Sequence, residues 1–215
     1  MLALTVLAFV VIIISSSNKG KAAEKAVAPT EFKKVKDIYK IVVKGNVDLY
    51  ITQGDEESLK VYDGNPADVK LENGILSISS SRNQRLAVSV TVINLSTIEA
   101  SGTSRVRTMN EISTVNLDLQ FNDQADGQIE AKAISISSLL SDQAKLELSG
   151  ESESQHLGLS GAAQYEASRF TAQNRSIVVS QGAVASINQQ GQNTTIQTFT
   201  NFPLKENTFS IDSKF

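Results

Sequence analysis

The amino-acid sequence predicts an all-β fold: a parallel β-helix (solenoid) with coils of about 20 residues. Three observations carry this expectation. First, five segments line up without gaps: Ile98, Ala100 and Ser101; Leu119, Phe121 and Asn122; Ser138, Leu140 and Ser141; Leu157, Leu159 and Ser160; Ile177, Val179 and Ser180. Second, the anchors Ser101, Asn122, Ser141, Ser160 and Ser180 are spaced 21, 19, 19 and 20 residues apart. Third, a small residue stands three positions after each anchor: Ser104, Ala125, Ala144, Ala163 and Ala183. Self-similarity at such a period marks stacked architectures.

Each unit reads apolar, any, apolar, Ser or Asn, then turn formers, then small, any, apolar. Period-two alternation puts the residues one and three before the anchor on one face of a strand. Ser or Asn followed by Gly or Asp (Gly102, Asp123, Asp142, Gly161) is turn chemistry. A single unit cannot bury its apolar side alone. Stacking at about 4.8 Å places like on like: Phe121 by Leu140 by Leu159 by Val179, and Ala125 by Ala144 by Ala163 by Ala183. The Ser/Asn column then forms a polar ladder at the turn. The second unit breaks the pattern. Gly127 holds the slot filled elsewhere by Val106, Leu146 or Tyr165, and Ile129 follows, so a two-residue insertion or bulge is expected there. The competing fold is an antiparallel sandwich with evenly spaced turns.

In chain order, Leu2–Ile14 is an apolar run followed by Ser15, Ser16 and Ser17, the pattern of a secretory signal peptide core. It is short for a membrane span, which needs about 20 residues. Residues 1–28 are therefore read as signal peptide or N-terminal membrane anchor plus tether, with a buried strand as the remaining alternative for the apolar run. Either of the first two exports the body to the periplasm, outer membrane or cell surface. From Phe32 the pattern turns to strands. Ile41–Val43, Gly45 and Val47–Ile51 read as strand, tight turn, strand. Leu59–Tyr62 is a further strand. Asn73 and Gly74 separate two alternating runs, Val69–Glu72 and Ile75–Ile78, which is a hairpin pattern. Leu86–Val92 leads into the regular units. These less regular N-terminal strands are expected to cover the first coil, whose bare edge would invite aggregation. The unit 32–190 is one domain. The segment 191–215 holds Phe199, Phe202, Phe209 and Phe215 and is read as a C-terminal cap over the last coil.

Composition narrows the function. A net charge of -3 argues against nucleic acid, which wants a basic face. The absence of Cys removes disulfides, thiol catalysis and thiolate-bound metals.

The run Gly45, Val47, Leu49, Ile51, Gln53–Glu57, then Asn73, Gly74, Leu76, Ile78, then Leu95, Ile98 and Ala100–Gly102 resembles the putative auto-transporter adhesin family with the head GIN domain. The resemblance covers roughly Phe32 to Gln190. It implies a bacterial envelope domain of unknown function, built as a right-handed parallel β-helix. Members typically carry Ser-Gly-Ser-Gly; here the later units read Asn122-Asp123, Ser141-Asp142 and Ser180-Gln181.

Catalytic machinery is not expected. The lone His156 would have to serve any Ser–His–acid arrangement. Gly158 and Ser160 approach a nucleophile elbow, but Ala162 stands where the last Gly belongs. One site is expected. With the insertion allowed for, Glu130, Glu147 and Glu166 follow the inward Ile129, Leu146 and Tyr165 and form an outward acidic ladder, with Arg107 in the next coil; Asp123 and Asp142 stack at the turn. Closely spaced carboxylates suit a solvated face, a calcium ion or a basic partner. No other cofactor is expected. The function expected is an exported, adhesin-like binding module for an envelope or host-surface protein or glycan. The alternatives are a structural spacer without a ligand and a polysaccharide-acting β-helix enzyme.

Overall fold

The computed structural model describes residues 30–32, 37–63, 68–81, 85–180, 182–188, 193–199 and 211–212. The apolar leader lies outside the described residues, as do Phe202, Phe209 and Phe215 of the tail. The described chain is all-β, and one curled sheet runs through its seventeen strands. Among the described residues no helix is long and apolar enough to cross a membrane.

The sheet is built on two parallel ladders. The first joins β6 (Ile75–Ser80), β2 (Lys40–Gly45), β8 (Thr97–Gly102) and β10 (Ile112–Phe121), in that spatial order. It continues through the second halves of β11 (Asp126–Leu140) and β12 (Lys145–Leu159) to β14 (Phe170–Ser180) and β16 (Asn193–Phe199). The second joins β7 (Leu86–Val92), β3 (Val47–Gln53) and β9 (Arg105–Thr108). It continues through the first halves of β11 and β12 to β13 (Gln164–Ala167), β15 (Val184–Asn188) and β17 (Ile211–Asp212). The described parts of segment 191–215, β16 and β17, thus extend the two ladders.

The register sets the expected columns side by side. Phe121 pairs with Leu140 and Ala100, Leu140 with Leu159, and Leu159 with Val179. Ala125, Ala144 and Ala163 are fully buried beside Ser104 in the adjoining inward slot. Apolar residues at alternate positions on both ladders meet in one core, in which Phe121 and Phe170 are the largest fully buried side chains.

A second column explains the turns. Gly45, Gly102, Asp123, Asp142 and Gly161 all have positive φ, from 60° to 86°. Each opens a tight link between the ladders. In two links Ala125 N–H donates to Asn122 O and Ala144 N–H to Ser141 O, both at 3.1 Å. The left-handed residue is then the first central position, as in a type II′ turn, where Gly is favoured and Asp is tolerated. The links also hold one another: Thr103 N–H donates to Gly45 O, Gln124 to Gly102 O and Gln143 to Asp123 O, at 2.8–3.1 Å. The polar ladder forms between Ser141 Oγ and Asn122 Oδ1 (2.9 Å), whereas Ser160 Oγ turns to the carbonyl of Leu140.

Two expectations need correction. There is no insertion in the second unit: Asp126, Gly127 and Gln128 pair directly with Lys145, Leu146 and Glu147. Gly127 stands in that slot because the Phe121 ring fills its space. A Cβ on Gly127 would lie 2.7 Å from two ring carbons of Phe121 and 2.8 Å from Leu146 Cδ1. Nor do the N-terminal strands only cover the array. β2 and β3 lie within it, between β6/β7 and β8/β9, so the earliest parallel pair is flanked by two later ones. The antiparallel strands sit outside: β4 (Ser58–Asp63) on β7, β1 (Thr30–Phe32) on β4, and β5 (Val69–Glu72) on β6. In the last of these, Asn73 and Gly74 both have positive φ, the type I′ hairpin that this dipeptide favours.

Candidate functional site

The second ladder turns one face outward, and alternation along its strands organises that face into two rows. One row reads Asp48, Arg105, Asp126, Lys145, Gln164 and Val184 across successive strands. The next reads Tyr50, Arg107, Gln128, Glu147, Glu166 and Ser186. Between and beside the rows runs a groove of about 340 Å³, floored by the slot of Gly127, Leu146 and Tyr165.

The rows are polarised. At the β3/β9 end Arg105 and Arg107 face outward with Asp48 and Tyr50. At the β12/β13 end Glu147 and Glu166 are cross-strand neighbours. A hydrogen-bonded run links the two ends: Arg107 Nη1 donates to Gln128 Oε1, Gln128 Nε2 to Glu147 Oε2 at 3.3 Å, and Arg169 Nη2 to Glu147 Oε1. Glu147 is thus compensated by Arg169. Glu166 Oε1 accepts the N–H of Ser168 at 3.0 Å. Burial pushes the Glu166 carboxyl up, but bonds from Ser168 and Ser186 and the charge of Arg169 bring it below the usual range. Lys145 and Gln164 make no side-chain hydrogen bond or ion pair among the described residues. They stand free on the groove wall.

The expected carboxylate ladder is reorganised. Without an insertion, Glu147 pairs with Gln128, and Glu130 pairs with Ser149. Glu130 therefore leaves the Glu147–Glu166 row and lines a neighbouring hollow with Thr108, Ser149 and Arg169. Asp123 and Asp142 stand in the turns and spend their carboxylates on backbone. Asp123 Oδ2 accepts Gly102 N–H at 2.9 Å, and Asp142 Oδ2 accepts Asp123 N–H at 3.4 Å and the Ser141 hydroxyl at 2.6 Å. The Ser141 hydroxyl, then the Asp123 N–H, hold the Asp142 carboxyl below the ordinary aspartate value. Among the described residues no group of three or more His, Asp or Glu side chains is placed to hold a metal ion. His156 is exposed on the first ladder, in register with Ser137 and Ser176.

A buried polar cluster escaped the sequence reading. The inward row Leu117, Ile136, Gln155, Arg175 passes from apolar to cationic. Arg175 is 3% exposed; it donates to Gln155 Oε1 (2.9 Å), Phe170 O (2.8 Å) and Asn188 O. Gln155 Nε2 donates to the Tyr165 hydroxyl at 2.5 Å. Burial drives the Tyr165 hydroxyl well above the usual tyrosine range and lowers Arg175. The available signal was Gln155 standing three positions before the trough of alternation at Gly158, in a slot filled by Ile136 one unit earlier.

A family model described as putative auto-transporter adhesin, head GIN domain, matches residues 38–196. No curated protein matches the chain in sequence. Solved structures similar in fold include the following three. A putative adhesin from Bacteroides fragilis superposes with a TM-score of 0.62 at 17% identity, over 80% of this chain and 94% of that one. A putative lipid binding protein from Parabacteroides distasonis gives 0.57 at 13%, over 86% and 95%. A second putative adhesin, from Parabacteroides merdae, gives 0.55 at 12%, over 80% and 92%. At these identities the likeness speaks to fold alone.

Proposed function

We propose, from the premise that the chain belongs to the putative auto-transporter adhesin, head GIN domain family, that it is an exported binding module of the cell envelope or surface. It holds an extended partner, a glycan or a protein segment, across the outward face of the second ladder. The observation that carries this reading is the groove itself. Its volume of about 340 Å³ lies within the range of ligand sites, about 300–1,000 Å³. Lys145 and Gln164 line it with unspent hydrogen-bonding capacity. A pure spacer has no need of such a wall. The coil reading also supports a stiff platform: parallel crossover connections are right-handed in about 98% of cases, so a right-handed parallel β-helix is the form in which these ladders are read. The family's description favours an envelope or surface location.

The test is attachment. Purified protein is applied to envelope fractions, host cells and a glycan array, beside a Lys145→Ala, Gln164→Ala double variant. Retained stability with lost attachment supports the groove. Attachment by both alike, or by neither, removes this reading and leaves the spacer. Release of reducing sugar from the array would move the protein to the enzymes.

A further inference from the structure

We propose that the β3/β9 end of the outward face is a site for a tetrahedral oxyanion, a phosphate or sulfate group, held by Arg85, Arg105 and Arg107. This rests on a different set of residues from the groove above and does not depend on that reading.

The placement follows from the strand order. β3 is inserted between β7 and β9, so residues far apart in sequence become neighbours. Asp48 stands opposite Arg105, and Tyr50 opposite Arg107. Arg85, just before β7, reaches back to Asp48: its Nε lies 2.6 Å from Asp48 Oδ2, and Nη2 bonds the same oxygen. Asp48 is 7% exposed, so it anchors Arg85 from below without presenting its own charge to solvent. Arg107 bonds Gln128 and lies 3.8 Å from Asp126 Oδ1. Arg105 makes no hydrogen bond or ion pair among the described residues, although it is exposed between Asp48 and Asp126 in its row. The three guanidinium-bearing residues line one small concavity with Asp48 and Tyr50.

Asp48 compensates Arg85 and Asp126 approaches Arg107, so among the described residues the Arg105 guanidinium is the charge of the three left without a bonded partner. Arg85 and Arg107 are fixed by their partners, and Arg107 spends only part of its five donors, which leaves oriented N–H groups for a ligand beside those of Arg105. The concavity measures about 70 Å³, small beside ligand pockets of about 300–1,000 Å³. That suits a single oxyanion group. Donors arriving from β9 and from the residue before β7 suit a group with three or more acceptor oxygens better than a planar carboxylate. The chemistry is shared by a soluble phosphate or sulfate ester and by a lipid phosphate headgroup.

Calorimetric titration with inorganic phosphate tests the site, on wild type and on Arg105→Gln, Arg107→Gln and, as a control on the exposed Lys70 of β5, Lys70→Gln. Arg105 has no partner to lose among the described residues, so its variant is expected to keep the wild-type melting temperature. The expected result is saturable binding that weakens with added salt. Each Arg variant should bind about tenfold more weakly, in line with loss of a charge-assisted hydrogen bond, and Lys70→Gln should bind as wild type does. Flotation with phosphatidylcholine vesicles, with and without phosphatidic acid, then separates the sources. Arg105-dependent flotation only with phosphatidic acid assigns a lipid headgroup; phosphate binding without flotation assigns a soluble ester. No saturable binding by wild type, wild-type affinity in the Arg105 and Arg107 variants, or an equal loss in Lys70→Gln overturns the proposal.

Discussion

Replacing Gly127 by Ala tests the packing that sets the second unit. The backbone there is not left-handed, so Ala meets no conformational barrier. By itself the change even restrains the unfolded chain, worth about 0.4–1 kcal/mol in its favour. The obstacle is space. The new Cβ would sit 2.7 Å from Cε1 and Cζ of Phe121 and 2.8 Å from Leu146 Cδ1. Leu146 Cδ1 is the end of a flexible side chain and can yield, whereas the Phe121 ring is fully buried and cannot swing out. Overpacking of this kind costs about 1–3 kcal/mol, so a net loss of about 1–2 kcal/mol is expected.

Phe121→Leu removes the two ring carbons that clash and matches the Leu140 and Leu159 of the same row. Alone it leaves a void above Gly127 and should cost roughly 1–2 kcal/mol. In the Phe121→Leu background the methyl group introduced by Gly127→Ala fills that void. The double variant should therefore be less destabilised than the sum of the two singles, with a coupling of about 0.5–3 kcal/mol. Urea unfolding of the four proteins, analysed for midpoint at constant slope, measures this. If Gly127→Ala costs the same in both backgrounds, the Phe121 ring does not explain the glycine, and the direct register of Gly127 with Leu146 loses its physical reason.

Arg175→Met should cost about 1–3 kcal/mol by leaving Gln155 Oε1 and Phe170 O without a donor; adding Gln155→Leu, which restores the apolar row of Leu117 and Ile136, should recover part of that in the same unfolding assay. The depressed Asp142 carboxyl contributes stability that is present above the ordinary aspartate value and is lost as pH falls through its own lower value. Asp142→Asn keeps a residue that tolerates positive φ, so its stability should fall less between neutral pH and strong acid than that of wild type. Ala144→Leu, in a fully buried slot of the small-residue column, should lower stability by about 1–3 kcal/mol, while Gln143→Leu, exposed in the same turn, should melt close to wild type.

What the sequence made legible was whatever repeats locally. The Ala column, the Phe121–Leu140–Leu159 row and the Asn73-Gly74 hairpin follow from alternation and turn chemistry within about 20 residues, and the ladders place them accordingly. Strand order is different in kind. β2 pairs in parallel with both β6 and β8, and nothing within β2 distinguishes this from pairing with one of them, because a strand's alternation fixes its face and not its neighbours. Register is hidden for a second reason. A glycine in an apolar slot reads as a break in the pattern, when it is the small partner of a large residue six positions earlier; that one step moves Glu130 from Ser149 to Glu147 and makes the acidic ladder longer than it is. The arginine cluster depends on strand order. Gly45 precedes Asp48 and Tyr50 by the same intervals at which Gly102 precedes Arg105 and Arg107, and the two left-handed glycines lie side by side. That shared spacing was in the sequence, but only the insertion of β3 between β7 and β9 turns it into an oriented group of cations around one hollow. Local pattern therefore sets which residues face outward, and long-range strand order decides which of them can act on one ligand.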